Sequence, residues 1–241
     1  MSLSIASRPV GDITVLTCTG RIVEGDEAAT LETYVRKLLP WQRYFLLDLG
    51  GVTFIDSCGV GLLLRLRTIA RTAAGDVKLC AANHRVCEVL RVTKLEEALP
   101  RYDSELEAIT SFYTQVEADD PWRSAAVDVL CVHSSLDALA YAREVLKQAG
   151  YGVATASNVS DARLLMRATT PLVLVIAPDS RARLAALTGE EPASRLAVVA
   201  WPPDFSTEDA GAAAHELLAE VKRAVADAPK RATPPGRLGS F

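Results

Sequence analysis

At 241 residues, with 49% hydrophobic and 23% charged side chains, the chain can form two globular domains of ordinary size, each with its own core. Its formal charge of −4 divides evenly between the halves, so neither offers the basic face that a nucleic acid requires. No apolar run reaches membrane-spanning length, no secretory leader is recognisable, and five cysteines lack paired ligand spacing, which together exclude a membrane and point to a reducing cytoplasm.

In chain order, Ile13 to Cys18 reads as a strand. Asp26 to Leu39 reads as an amphipathic helix, with Ala28, Leu31, Val35 and Leu38 at helical spacing and Pro40 ending it. Tyr44 to Leu49 is almost continuously apolar, which suits a strand covered on both faces. Val52 to Ile55 leads into a helix from Ser57 to about Ala74. A strand at Val77 to Ala81 and helices at Arg85 to Arg91 and Ser104 to Tyr113 follow. Together these predict a small mixed sheet with helices packed against it.

The run Val52-Thr53-Phe54-Ile55-Asp56-Ser57-Cys58-Gly59-Val60-Gly61 carries the most information. A buried strand stops at Asp56, and a helix starts at once. Asp and Ser are ordinary helix-starting residues, so by themselves they read as a cap. Gly59 and Gly61 add something, because glycine in a helix costs about 1 kcal/mol relative to alanine. Two of them in one turn suggest that another surface approaches this backbone. Ser57 would then sit among unsatisfied first-turn amides, open to a modifying enzyme and hospitable to an anion. Projected at about 100° per residue, Leu62, Leu63, Leu66, Ile69, Ala70 and Ala73 face the sheet. Val60, Leu64, Arg67 and Arg71 gather on another side. Leu64 there is either an ordinary exposed apolar residue or, with Val60, the centre of a docking surface rimmed by the two arginines.

Phe54-Ile55-Asp56-Ser57-Cys58-Gly59-Val60-Gly61 resembles the signature of the STAS family of anti-sigma-factor antagonists, in which a serine directly after an aspartate is phosphorylated. Thr19 to Ile22, Tyr44 to Gly51, Leu90 to Leu95 and Tyr102 to Ala108 resemble further parts of that family in the same order. The resemblance covers about residues 1–117. It implies the STAS mixed sheet, no catalytic activity, Ser57 as phosphoacceptor, and Asp56, Cys58, Gly59, Val60, Gly61, Leu64, Arg67 and Arg71 as the partner-binding surface. The implied partners are an anti-sigma factor with serine-kinase activity of the histidine-kinase-like ATPase type and a resetting serine phosphatase. Two positions depart from the pattern. Cys58 replaces a second hydroxyl residue, and Val23-Glu24-Gly25 replaces a more polar acidic loop.

Gln115 to Ser124 is acidic, contains proline and lacks apolar period, placing a linker at 118–125. Beyond it, strands at Val127 to Val132, Tyr151 to Ser157, Leu172 to Ile176 and Leu196 to Ala200 alternate with helices at Leu136 to Gln148, Ser160 to Ala168 and Thr207 to Ala226. Alternation of this kind predicts a parallel α/β sheet. Over 126–227 the order resembles a flavodoxin-like receiver domain. The chemistry is missing, however. His133-Ser134-Ser135 stands at the acidic pair, Ala177 at the phosphoacceptor, and Trp201-Pro202-Pro203 where a lysine belongs. A degenerate receiver without phosphotransfer or magnesium is expected. Residues 228–241 read as a disordered tail.

The three histidines show no metal-ligand spacing, and neither a hydrolase elbow nor a phosphate loop occurs, so no metal or cofactor is expected. Two functions remain. One is a partner-switching antagonist turned off by phosphorylation at Ser57. The other is a signalling adaptor or ligand-sensing scaffold in which the first domain is a fixed interaction module. An enzymatic reading with Asp179 as a displaced phosphoacceptor ranks behind both.

Overall fold

The computed structural model describes residues 3–114, 127–177, 196–202 and 210–228. The proposed linker, Asp179 and nearly all of the proposed tail lie outside them.

The first sheet contains β1 (Ser4–Val10), β2 (Ile13–Ile22), β3 (Tyr44–Ile55), β4 (Asp76–Cys80) and β5 (Arg101–Tyr102) in that spatial order. β1 pairs antiparallel with β2, and every other pairing is parallel. Four helices accompany it: α1 (Asp26–Leu38), α2 (Ser57–Thr72), α3 (His84–Val92) and α4 (Glu105–Thr114). The mixed sheet with packed helices is therefore as expected, with two additions. β1 is an edge strand in which Ser4, Ala6, Ser7 and Pro9 are exposed, so it gives no clear apolar pattern to read. β5 is only two residues long.

The nearly continuous apolar run of β3 has a direct cause. Phe45, Leu47 and Leu49 point into one buried cluster with Leu31 and Val35 of α1, Leu62, Leu63 and Leu66 of α2, and Leu90 of α3. Leu46, between them, points into a second cluster with Ile109 and Phe112 of α4. Alternating side chains on a strand covered on both faces must all be apolar. On the second face, buried Lys78 of β4 donates to Ser111 Oγ at 2.9 Å and lies 4.5 Å from the Phe112 ring centre.

The second sheet holds β6 (Val129–Val132), β7 (Val153–Ala156), β8 (Val173–Ile176) and β9 (Ala197–Ala200) in the order β7-β6-β8-β9, all parallel. Among the described residues its helices are α5 (Leu136–Gln148), α6 (Val159–Thr169) and α7 (Ala210–Asp227). Ser135 and Asn158 cap α5 and α6 through side-chain oxygens. One face of this sheet forms a cluster with Leu139 and Leu146 of α5 and Leu217 and Val221 of α7. The other face carries Leu130, Ala154, Leu174 and Ile176. These join the cluster that already contains Val10, Ile13, Val15 and Phe112 of the first unit.

A candidate switch site at the start of helix α2

β3 delivers Asp56 to its carboxyl end in extended conformation, φ −102° and ψ −177°, and α2 begins at the next residue. Three bonds fix this aspartate. Its amide donates to the Ile22 carbonyl at the end of β2, at 3.3 Å. Its Oδ1 accepts from the Gly59 amide at 2.7 Å, which caps the helix, and its Oδ2 accepts from the Glu24 amide at 3.2 Å. The carboxylate thus joins α2 to the β2–α1 loop. Ser57 is the first helical residue and is exposed. Among the described residues, the amides of Ser57 and Cys58 have no hydrogen-bond acceptor, as first-turn amides usually do not.

Cys58 is also exposed, and its thiol donates to Glu24 Oε2 at 3.6 Å. The two departures from the family pattern therefore touch one another. The Glu24 charge pushes the thiol above its ordinary pKa, with desolvation and the Asp56 charge adding to the effect. By contrast, Cys18, Cys80 and Cys131 are buried, and burial pushes each up to about 12.

Gly59 and Gly61 have different reasons to be there. A Cβ on Gly59 would lie 2.2 Å from the Ile22 carbonyl oxygen, so the surface approaching it is this chain's own β2. A Cβ on Gly61 would meet only Arg65 Nη1, at 3.6 Å. Nothing within the described chain requires glycine at 61.

The helical projection is corrected at two residues. Val60 is 2% exposed and belongs to the first core cluster, which also holds Leu31 and Val35 of α1. Arg67 turns inward. Its Nε donates to Asp76 Oδ1 at 2.8 Å and its Nη1 to the Ala98 carbonyl at 2.6 Å. Leu64 is half-buried against the core, and Arg71 is exposed. The exposed group around Ser57 instead includes Phe54, 45% exposed at the end of β3, with the Arg21 guanidinium 5.1 Å from its ring centre. Arg21, Glu24 and Phe54 carried no assigned role in the sequence. Only the departure at Val23-Glu24-Gly25 marked the place. Among the described residues, no three histidine, cysteine or acidic side chains are grouped to hold a metal ion, and no helix is long and apolar enough to cross a membrane.

Comparison with known proteins finds similarity over the part of the chain that carries this site. Residues 4–108 match the STAS domain family model. Within that part, the chain is 30% identical over 68 residues to an anti-sigma F factor antagonist of Paenibacillus polymyxa. That alignment covers 28% of this chain and spans 58% of the relative's length. Among solved structures, an anti-sigma factor antagonist from Thermotoga maritima, described as putative in its own report, is 23% identical, covering 45% of this chain and 93% of that one with a TM-score of 0.43. An antagonist from Mycobacterium paratuberculosis is 20% identical over 46% of this chain and 94% of its own, with a TM-score of 0.42. The amino-terminal part is thus similar to the STAS domain, and the family model and the curated relative support its homology to anti-sigma-factor antagonists.

Proposed function

We propose that this protein is an anti-sigma-factor antagonist, a non-catalytic partner-switching protein whose binding is turned off by phosphorylation of Ser57. The supporting observation is the exposed Ser57 hydroxyl at the first position of a capped helix, within the STAS-homologous part. The proposed partner is an anti-sigma factor with serine-kinase activity of the histidine-kinase-like ATPase type, reset by a serine phosphatase. Asp56, Cys58, Gly61, Leu64 and Arg71, together with Phe54, form the proposed contact surface. Gly59, Val60 and Arg67 shape it from beneath.

The charge balance gives the switch its sign. Phosphate adds about −1.5 to −2 at neutral pH. The helix start favours an anion by about 0.3–1 kcal/mol, whereas Asp56 and Glu24 oppose it from either side. In water these contributions are screened and the modified protein is tolerated. Beneath a docked partner the same dianion loses its hydration beside two carboxylates, and association weakens. Gly61 supports the docked state, since its open side admits a close neighbour.

For residues 126–227 we propose a degenerate receiver-like unit in the same cytoplasmic protein. The strand order β7-β6-β8-β9 corresponds to the first four strands of the flavodoxin-like order. At the carboxyl ends of β6 and β9, the His133 and Trp201 rings pack at a tilt of 58° with centres 4.8 Å apart, and Trp201 Nε1 donates to the Val132 carbonyl at 2.8 Å. Aromatic rings occupy the end of the sheet where a receiver needs carboxylates.

The test is phosphopeptide mapping of the protein from cells, combined with partner capture by Ser57→Ala and Ser57→Glu variants. Phosphate on Ser57, retention of the anti-sigma factor by the alanine variant and its loss by the glutamate variant are expected. Equal capture by both variants would overturn the switch and leave a fixed scaffold.

A further inference from the structure

The turn between β1 and β2 makes contacts that a hairpin tip at a sheet edge does not ordinarily make. The Gly11 amide donates to the Thr155 carbonyl of β7 at 3.0 Å. Arg8, on β1, pairs with Asp161 of α6 and with Glu105 of α4, so one guanidinium joins three elements. The Asp161 side chain is only 3% exposed and also accepts from Asn158 Nδ2 at 2.7 Å. Asp12 pairs with Arg143 of α5. Between these polar ties, Val10 and Ile13 are fully buried in the cluster they share with Ala162 and Leu165 of α6. Gly11 itself has φ +62°, and a Cβ there would lie 2.3 Å from the Tyr113 hydroxyl of α4 and 3.2 Å from Leu165 Cδ2. The turn is fitted between one helix of each unit.

We propose that the Arg8–Asp12 turn is a latch that seats residues 127–228 on the rear face of the first sheet and makes the two units open as one. The argument rests on three features. The contact buries apolar side chains from both units in a single cluster. It neutralises a buried carboxylate on one unit with a cation from the other, and separating them would leave Asp161 without Arg8. It also calls for glycine at position 11, where φ is +62° and a Cβ would lie 2.3 Å from the Tyr113 hydroxyl. The second unit is therefore the resident occupant of this face. Any event that loosens it is transmitted to the sheet that carries Ser57. This inference concerns stability and stands whether or not Ser57 is phosphorylated.

Amide hydrogen exchange on the full chain tests it, under conditions where exchange reports the opening equilibrium. Leu217 is buried in the outer cluster of the second unit, remote from the latch. Leu217→Ala is expected to lower protection of the β6 amides by a factor of about 30 or more, the lower end for a buried leucine. If the units open together, β3 amides lose protection by the same factor. Unchanged protection in β3 overturns the coupling. Gly11→Val, a β-branched residue at positive φ, is expected to abolish the effect of Leu217→Ala on β3. Should that variant fail to fold, Arg8→Ser opens the same latch without a clash and is expected to reduce the effect. Full coupling retained in the variant that folds overturns the assignment of the latch to this turn.

Discussion

Asp56 joins two elements, and its removal should show in both. Asp56→Ala loses the cap of α2 and the tie to the Glu24 amide, so a loss of about 0.5–2 kcal/mol is expected in urea unfolding. The glycines separate more sharply. Gly59→Ala drives a methyl group into the Ile22 carbonyl and should destabilise by about 1–3 kcal/mol. Gly61→Ala meets only the end of Arg65 and should stabilise by about 0.5–1 kcal/mol while weakening partner capture. Unaltered capture would show that no neighbour approaches there. Cys58 offers a titration with a definite sign. The Glu24 charge disfavours the thiolate and raises the pKa, so Glu24→Gln must lower it. At pH 8 the variant should therefore react faster with iodoacetamide at Cys58, followed by peptide mapping, while Cys18, Cys80 and Cys131 stay unmodified in the folded protein. The cap and its serine were legible in the sequence because capping is local. The partner of Gly59 was not, because Ile22 arrives from another strand.

Helix α2 shows where periodicity stops. Of the six residues its spacing assigned to the sheet, Leu62, Leu63, Leu66 and Ala70 are buried, while Ile69 and Ala73 are half-buried. The spacing could not show that Val60 is buried in the cluster that also holds Leu31 and Val35 of α1, since a projection of one helix contains no neighbour. Arg67 was hidden for a similar reason: its partners, Asp76 and the Ala98 carbonyl, come from later turns of chain. Its side chain is largely buried, so Arg67→Ala removes charge-assisted bonds and a packed aliphatic stem. A loss of about 2 kcal/mol is expected in thermal or urea unfolding. A loss of less than about 0.5 kcal/mol would instead assign the arginine to the surface. At the strand level, β3 was readable because both faces are covered. β1 was not, because its stability comes from pairing with β2 and from contacts to α4 and α6 rather than from an apolar pattern.

At the scale of the whole chain, two sheets each have one face fully covered by their own helices and share the layer between them. α1, α2 and α3 cover the outer face of the first, and α5 and α7 that of the second. α4 and α6 lie together in the middle, one from each unit. The sequence showed two α/β patterns and a gap between them, but it could not show that the inner faces meet. Apolar residues facing a neighbouring unit look the same in sequence as those facing a unit's own helix. The arrangement makes a strong demand on any shortened chain. Ending it after Thr114 removes α6 and the second sheet, and uncovers Val10, Ile13 and Val15, each no more than 1% exposed in the intact protein. Fully burying a side chain of this size contributes about 1.5–3 kcal/mol. The shortened chain should consequently bind an apolar dye, unfold at a lower temperature than the full chain and self-associate through the uncovered face. Calorimetry and sedimentation measure these effects. A monomer melting at the full-length temperature would show that α4 alone suffices to cover the rear face.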